Sequence, residues 1–335
     1  MSVSIGLIGA GVMGSEHGRI LSMDTPRSTL TAVCDYDEAR ARNIVGKGRV
    51  FKYPLELINS HCVDAVVIAS PDSTHFELVL ACIEAGKPVL CEKPLAMTST
   101  EALTIVEAEV KKGNNLVQVG YMRRFDPGYL DLKANFDEGM IGTPEILHNV
   151  HRNPVAPKWM TGEMLVTNAF VHEIDAARWL LGSELDSVRV ASSDRGDPMM
   201  IVARMANGSI VSTELFMNCK FGYQVQAELV GSEGTLALPS FTSTLLSKMG
   251  AQSSFVPSNW IPRFRAAYKA QSRAWVDTVI TGRKNHGASA WDGYVTTAVA
   301  ERIVASVGAD ETIRISVAEK PKFYSWFLSK KHIYL

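Results

Sequence analysis

Gly9-Ala10-Gly11-Val12-Met13-Gly14 constrains this chain more than any other feature, because of what lies on either side of it. Residues 3–8 form a β-branched, apolar run that predicts a strand, and residues 12–23 carry a helical pattern. A G-x-G-x-x-G turn between a strand and a helix serves three needs. The first glycine permits the tight turn, the second lets backbone approach a pyrophosphate, and the third brings helix and strand together. The helix N-terminus then points at the phosphates. Asp35 ends the next predicted strand about 21 residues after Gly14, where the ribose hydroxyls of a bound dinucleotide are expected. Gly9, Gly11, Val12, Met13, Gly14 and Asp35 are therefore assigned to a dinucleotide. Asp35 would repel a 2′-phosphate and no Arg follows it directly, which favours NAD over NADP.

The rest of the first third repeats the alternation. Strands are expected at 30–35, 65–69, 88–91 and 116–120, and helices at 37–45, 74–85 and 99–112. Continuous apolar strands separated by helices predict a doubly wound parallel sheet covered on both faces. The pattern changes after residue 122. Helices at 127–139 and 163–181 bracket a strand at 145–151, and consecutive strands follow at 187–192, 199–205, 209–217, 224–230 and 235–238. Two further helices are expected at 264–281 and 289–307. The expected architecture is α/β: a Rossmann domain over 1–122, then an α+β domain over 123–335 with an open, mostly antiparallel sheet.

Composition narrows the function classes. With 34 Lys plus Arg against 35 Asp plus Glu, the net charge of −1 gives no electrostatic footprint for nucleic acid or an anionic membrane. No apolar run reaches the ~18 residues of a spanning helix, and the first residues do not read as a signal peptide, so the cytoplasm is the expected compartment. The five cysteines include no C-x-x-C pair, and the eight histidines are scattered, so neither disulfides nor a metal is expected.

In a doubly wound sheet the ligand crevice lies beyond the carboxyl ends of the strands. Ser70, Pro71 and His75 follow one such strand and Glu92-Lys93-Pro94 another. The first segment also reads as a helix-capping turn, and a lysine at a strand end also reads as surface. If Lys93 does lie beside a reacting hydroxyl, its ammonium can hydrogen-bond it or stabilise alkoxide character.

These segments, with Val171-His172-Glu173-Ile174-Asp175, resemble the glucose–fructose oxidoreductase/inositol dehydrogenase family over almost the full length. Gly120-Tyr121-Met122-Arg123-Arg124-Phe125-Asp126 is similar to its interdomain link. The stretch 148–153, Arg263-Phe264 with Ala267-Tyr268, and Trp291-Asp292-Gly293-Tyr294 are similar to its inositol 2-dehydrogenase branch. The resemblance implies NAD-linked oxidation of a ring hydroxyl of a polyol or sugar, myo-inositol to 2-keto-myo-inositol above all. His172 would take the proton, and sheets would pack into a homo-oligomer, a tetramer. The alternatives are a related sugar or polyol dehydrogenase, a keto-sugar reductase, or a non-catalytic dinucleotide sensor. Fold alone does not choose among them.

Helical spacing of 100° places Asn168, His172, Asp175 and Trp179 on one stripe, opposite Phe170, Ile174, Ala177 and Leu181. His suits proton exchange near neutrality. Many relatives carry Asp four residues before the catalytic His; this chain has Asn168, which hydrogen-bonds but brings no charge, leaving Asp175 as a candidate partner. His151 and Asn153 suit a polyol pocket or a solvated loop. Tyr223 suits the substrate side of the sheet or its packed rim. Arg123 and Arg124 are placed outside the catalytic set.

Overall fold

The computed structural model describes residues 2–160, 162–239, 244–309 and 311–328. The expected domains also include residues 1, 161, 240–243, 310 and 329–335, which lie outside the described residues. The chain divides into two compact units. The first comprises the described residues up to 121 with 271–298 and 317–328; the second comprises those within 122–270 and 299–316.

In the first unit, strands β1 (Val3–Ile8), β2 (Ser28–Cys34), β3 (Arg49–Phe51), β4 (Ala65–Ile68), β5 (Val89–Cys91) and β6 (Val117–Val119) pair in parallel in the order 3-2-1-4-5-6. Helices α1 (Val12–Met23), α2 (Glu38–Val45), α3 (Pro54–Asn59), α4 (His75–Glu84) and α5 (Ser99–Lys112) connect them. The strand order reverses between β1 and β4, the switch point at which such sheets bind ligands. β4 reads AVVI and is buried throughout, as a central parallel strand must be. Local chemistry sets the helix ends. Asp37 caps α2, while Thr98 and Glu101 form a reciprocal capping box on α5, which stops at Gly113 in the left-handed conformation. β3 and α3 escape the sequence reading because both are short and lie in a stretch without clear period.

The second unit opens with α6 (Pro127–Asp137) and β7 (Pro144–Arg152), then a π-helical turn Leu165–Phe170 leading into α7 (Val171–Leu181). Strands β8 (Leu185–Ser192), β9 (Met199–Met205), β10 (Ile210–Phe216), β11 (Gln224–Gly231) and β12 (Thr235–Ala237) follow. An exposed hairpin, β13 (Leu245–Lys248) with β14 (Ala251–Ser254), precedes α8 (Trp260–Thr281). After β15 (Ala288–Ser289) come α9 (Ala290–Ser306) and β16 (Ile313–Arg314). The sheet order is β12-β11-β7-β10-β9-β8-β16, and among the described residues only the β7–β10 pair of this sheet is parallel. β9 alternates buried and exposed, as a strand covered on one face does. Phe170, Ile174 and Ala177 surround the same small internal void as Leu185, Ile201, Ala203 and Val211, so α7 lies against the inward face of this sheet.

Two expectations need correction. Residues 271–298 and 317–328 group with the first unit, although the sequence assigned everything after 122 to the second domain. Trp275 and Val276 join the apolar cluster of β1, β2 and β4, and β15 pairs antiparallel with β6 at the edge of the parallel sheet. The helix expected over 163–181 is not uniform. Its first part is π-helical, so 100° spacing does not carry from Asn168 to His172. Within α7, His172, Glu173 and Asp175 are all buried.

Candidate active site

The residues singled out by sequence fall into two sets, one on each unit. In the first unit they cluster beyond the carboxyl ends of β1, β2, β4 and β5. Gly9 has φ +93°, and a Cβ there would lie 2.5 Å from the Ala69 carbonyl and the Ser70 nitrogen. A Cβ on Gly14 would lie 2.0 Å from the Gly9 oxygen. The loop can therefore sit flush against the β4 end only without side chains. Gly11 differs. A Cβ there meets nothing within 4 Å, and as N-cap of α1 it offers no side-chain acceptor to the first turn. An uncapped helix start with open space before it fits a dinucleotide pyrophosphate. Val12 is exposed and Met13 half-buried beside it.

Asp35 braces this loop. Its Oδ2 accepts from the Ala10 N–H at 2.6 Å and its Oδ1 from the Asp37 N–H at 2.8 Å. Each carboxylate oxygen keeps acceptor capacity for a ribose hydroxyl. Arg40, one turn further on, has its Nε 3.1 Å from Asp37 Oδ2, so the nearest cation after Asp35 already faces a carboxylate.

The two downstream loops are tied together by His75, which is fully buried. Its Nδ1 lies 2.7 Å from the Pro94 carbonyl and its Nε2 3.1 Å from the Ser70 carbonyl. His75, expected to touch the cofactor, thus sits behind the loops it joins. Ser70 Oγ and Thr74 Oγ1 are 2.6 Å apart, and Pro71 is exposed. Glu92 is buried with an oxygen 2.7 Å from His17 Nε2 on α1. Lys93 is half-buried. Desolvation holds its pKa below the ordinary lysine value, against the opposing pull of Glu92 and Asp72. A lysine in that state gives up a proton more readily than a solvated one.

In the second unit, Asn168 lies on the π-helical turn and His172 in the first turn of α7, both more than nine-tenths buried. Charge surrounds this helix. Arg123 Nη1 is 2.5 Å from Glu173 Oε1, and His151 Nδ1 is 3.0 Å from the same oxygen. Burial pushes the Glu173 carboxyl up, but Arg123 and His151 outweigh it and leave its pKa below the ordinary value. The Arg123 guanidinium also lies over the rings of Tyr129 and Phe264, 5.9 and 5.8 Å from their centroids. Arg124 donates from Nε and Nη2 to Asp175 at 3.0 and 2.6 Å, so this carboxylate is committed to a bidentate ion pair. His151 meets Tyr223 edge-on at 6.0 Å. Tyr223 is buried and packs on Phe264, and burial raises its pKa. Asn153 is half-buried and donates to Met217 Sδ at 3.2 Å.

The structure thus gathers the glycine loop, Asp35 and the Ser70 loop on one unit, and His151, Tyr223 and the His172 helix on the other. Sequence reasoning missed Glu173, His17 and the ion pairs of Arg123 and Arg124. The available signal was four charges in two segments otherwise patterned for burial. Among the described residues, no group of three or more His, Cys, Asp or Glu is arranged to hold a metal, and no helix is long and apolar enough to cross a membrane.

Two family profiles match. One describes an oxidoreductase family with an NAD-binding Rossmann fold over residues 3–121, the other the GFO/IDH/MocA C-terminal domain over residues 129–237. Inositol 2-dehydrogenase 1 of Saccharopolyspora erythraea is 45% identical, over 97% of this chain and 99% of the relative. The inositol 2-dehydrogenase/D-chiro-inositol 3-dehydrogenase of Shouchella clausii is 38% identical over 97% of each chain. A crystal structure of myo-inositol dehydrogenase from Lactobacillus casei, in complex with NAD(H) and myo-inositol, superposes with TM-score 0.93 at 32% identity, covering 97% of this chain and all of the other.

Proposed function

This chain belongs to the GFO/IDH/MocA family of oxidoreductases, and from that premise we propose that it uses NAD to oxidise a ring hydroxyl of a cyclitol, myo-inositol to 2-keto-myo-inositol. The observation that carries this reading is the near-full-length likeness to a myo-inositol dehydrogenase whose structure holds both NAD(H) and myo-inositol. Gly9, Gly11, Val12, Met13 and Gly14 with Asp35 would hold the dinucleotide, backed by the loops of Ser70, Pro71, Glu92 and Lys93 and tied by His75. When bound, NAD accepts the hydride released from the carbinol carbon.

The remaining work falls to side chains. His172 takes the hydroxyl proton as general base. Lys93 donates a hydrogen bond to the same oxygen and stabilises negative charge developing on it. Asn168 orients by hydrogen bonding alone, since it brings no carboxylate. His151, whose Nδ1 faces Glu173, presents its other ring nitrogen to a substrate hydroxyl, and Asn153 and Tyr223 complete the polyol contacts. A related sugar or polyol dehydrogenase, or a keto-sugar reductase, is the second reading. Asn168 in place of the family's usual Asp favours it, because that position bears on the substrate rather than the cofactor.

Residues 1–122 form the cofactor-binding part in this reading, and the protein works in the cytoplasm as a homotetramer. The sheet of the second unit supports assembly: Met200, Val202 and Ile210 are each more than two-fifths exposed on one face. Light scattering giving a monomer at micromolar concentration would sink that part. Nicotinamide fluorescence tests the activity itself, with NAD or NADP against myo-, scyllo- and D-chiro-inositol and D-glucose. The expected result is NADH formed fastest from myo-inositol; a sugar oxidised faster replaces the substrate, and no reduction anywhere removes the activity.

A further inference from the structure

We infer that a cavity of about 380 Å³ on the first unit is a second small-molecule site, taking a neutral polyhydroxylated compound of monosaccharide size. Its volume lies within the roughly 300–1,000 Å³ typical of small-molecule sites. Its walls come from Pro88, the loop 113–116, Gln118 of β6, the C-terminal half of α8, and Lys284, Asn285 and residues 287–289. Pro88 and the 113–116 loop precede β5 and β6, so the cavity borders the amino ends of these strands. The glycine loop, Asp35 and Lys93 follow the carboxyl ends. The cavity is therefore separate from the dinucleotide crevice.

The chemistry of the walls selects the ligand. Gln118 is 8% exposed, and its Oε1 accepts from Asn285 Nδ2 at 2.9 Å, while its Nε2 has no hydrogen-bond partner. A buried amide donor left without an acceptor carries its full desolvation penalty, so this position gains from a hydroxyl or a water. Asn114, Asn115, Thr278 and Ser289 add groups that donate or accept around an apolar floor of Trp275 and Val279. Hydroxyls on a carbon ring match such a surface, since they donate and accept while the C–H faces contact the apolar floor. The charges at the walls oppose one another, so they favour neither an anion nor a cation outright. α5 and α8 both end at the cavity, through Gly113 and Gly282, and helix C-termini disfavour anions. Lys284 in the wall disfavours cations. A Cβ on Gly287 would come within 2.6 Å of Gln118 Cδ and 2.7 Å of Asn285 Oδ1, so this glycine lets the loop lie close enough to hold the amide pair.

Calorimetric titration of the full-length, NADH-loaded protein, which cannot oxidise these compounds, with D-glucose, myo-inositol and D-mannitol tests the site, with inorganic phosphate as the anionic probe. Any step that Asn114→Ala/Asn115→Ala leaves unchanged is assigned to the catalytic site. The wild type should bind at least one polyol in a saturable step that Asn114→Ala/Asn115→Ala weakens tenfold or more. Both asparagines are exposed, so this variant should fold, and NAD-linked turnover should stay unchanged. Gly287→Ala should act in the same direction through the displaced Gln118 and Asn285. No saturable polyol heat in the wild type, or heat identical in the double variant, overturns the proposal. Phosphate binding lost in the double variant with polyol binding intact overturns the assigned ligand class.

Discussion

Gly9, Gly14 and Asp35 build the ligand loop of the first unit from backbone. Two glycines admit close approach and one carboxylate ties two amides. The helix carrying His172 in the second unit is held by charge instead, through Arg123–Glu173–His151 and Arg124–Asp175. The difference teaches where each unit is vulnerable. An added methyl group breaks a loop defined by close backbone contact, because the atoms it meets are fixed. A removed charge breaks a helix defined by buried ion pairs, because its former partner is left desolvated and uncompensated.

The sharpest test of the second arrangement is His172→Ala. Turnover should fall by about two to four orders of magnitude, the usual contribution of a positioned acid–base group. NAD affinity should hold, since His172 lies on the unit without the glycine loop; equal losses in both would erase the distinction. Next in size is Glu173→Ala, which leaves the fully buried Arg123 without its carboxylate. Urea denaturation should show a loss of roughly 3–5 kcal/mol; a loss near zero would mean that charge does not hold this helix. The pair also has a pH signature. Because the Glu173 pKa is lowered on folding, its stabilisation is complete above the ordinary carboxylate value and disappears as pH falls through the folded value. Glu173→Gln should flatten that acid limb.

Gly9→Ala probes the first arrangement. The residue would have to hold φ +93° with its Cβ against the Ala69 carbonyl, a strain of about 1–3 kcal/mol, visible as a lowered melting temperature and weaker NAD binding. An unchanged NAD affinity would show that the loop relaxes freely. The smallest expected effect belongs to Asp35→Ser with Tyr36→Arg, which should move preference toward NADP by about tenfold, near 1.4 kcal/mol. A wild type that already prefers NADP would contradict the role given to Asp35.

The same contrast explains what the sequence revealed. Gly9, Gly14 and Asp35 lie within a short stretch whose spacing follows from one strand–turn–helix unit, so the loop was legible. So was the alternation of β1, β2, β4, β5 and β6, because parallel strands buried on both faces read as continuous apolar runs, whereas β3 is short and partly exposed. Arg123 and Glu173 are 50 positions apart, and nothing local says that their charges meet. The π-helical turn at Leu165–Phe170 was equally hidden, since its residues keep an ordinary helical composition. β15 pairs with β6 across more than 160 positions through only two residues, too short for any period to show.

Hydride origin tests the central claim most directly. The protein is incubated with NAD and myo-inositol carrying deuterium on carbon 2, and the nicotinamide produced is examined by mass spectrometry and proton NMR. The expected result is reduced nicotinamide with one deuterium at carbon 4 and 2-keto-myo-inositol without it. Unlabelled NADH would show oxidation at a different carbon, and no NADH at all would contradict the proposed reaction outright.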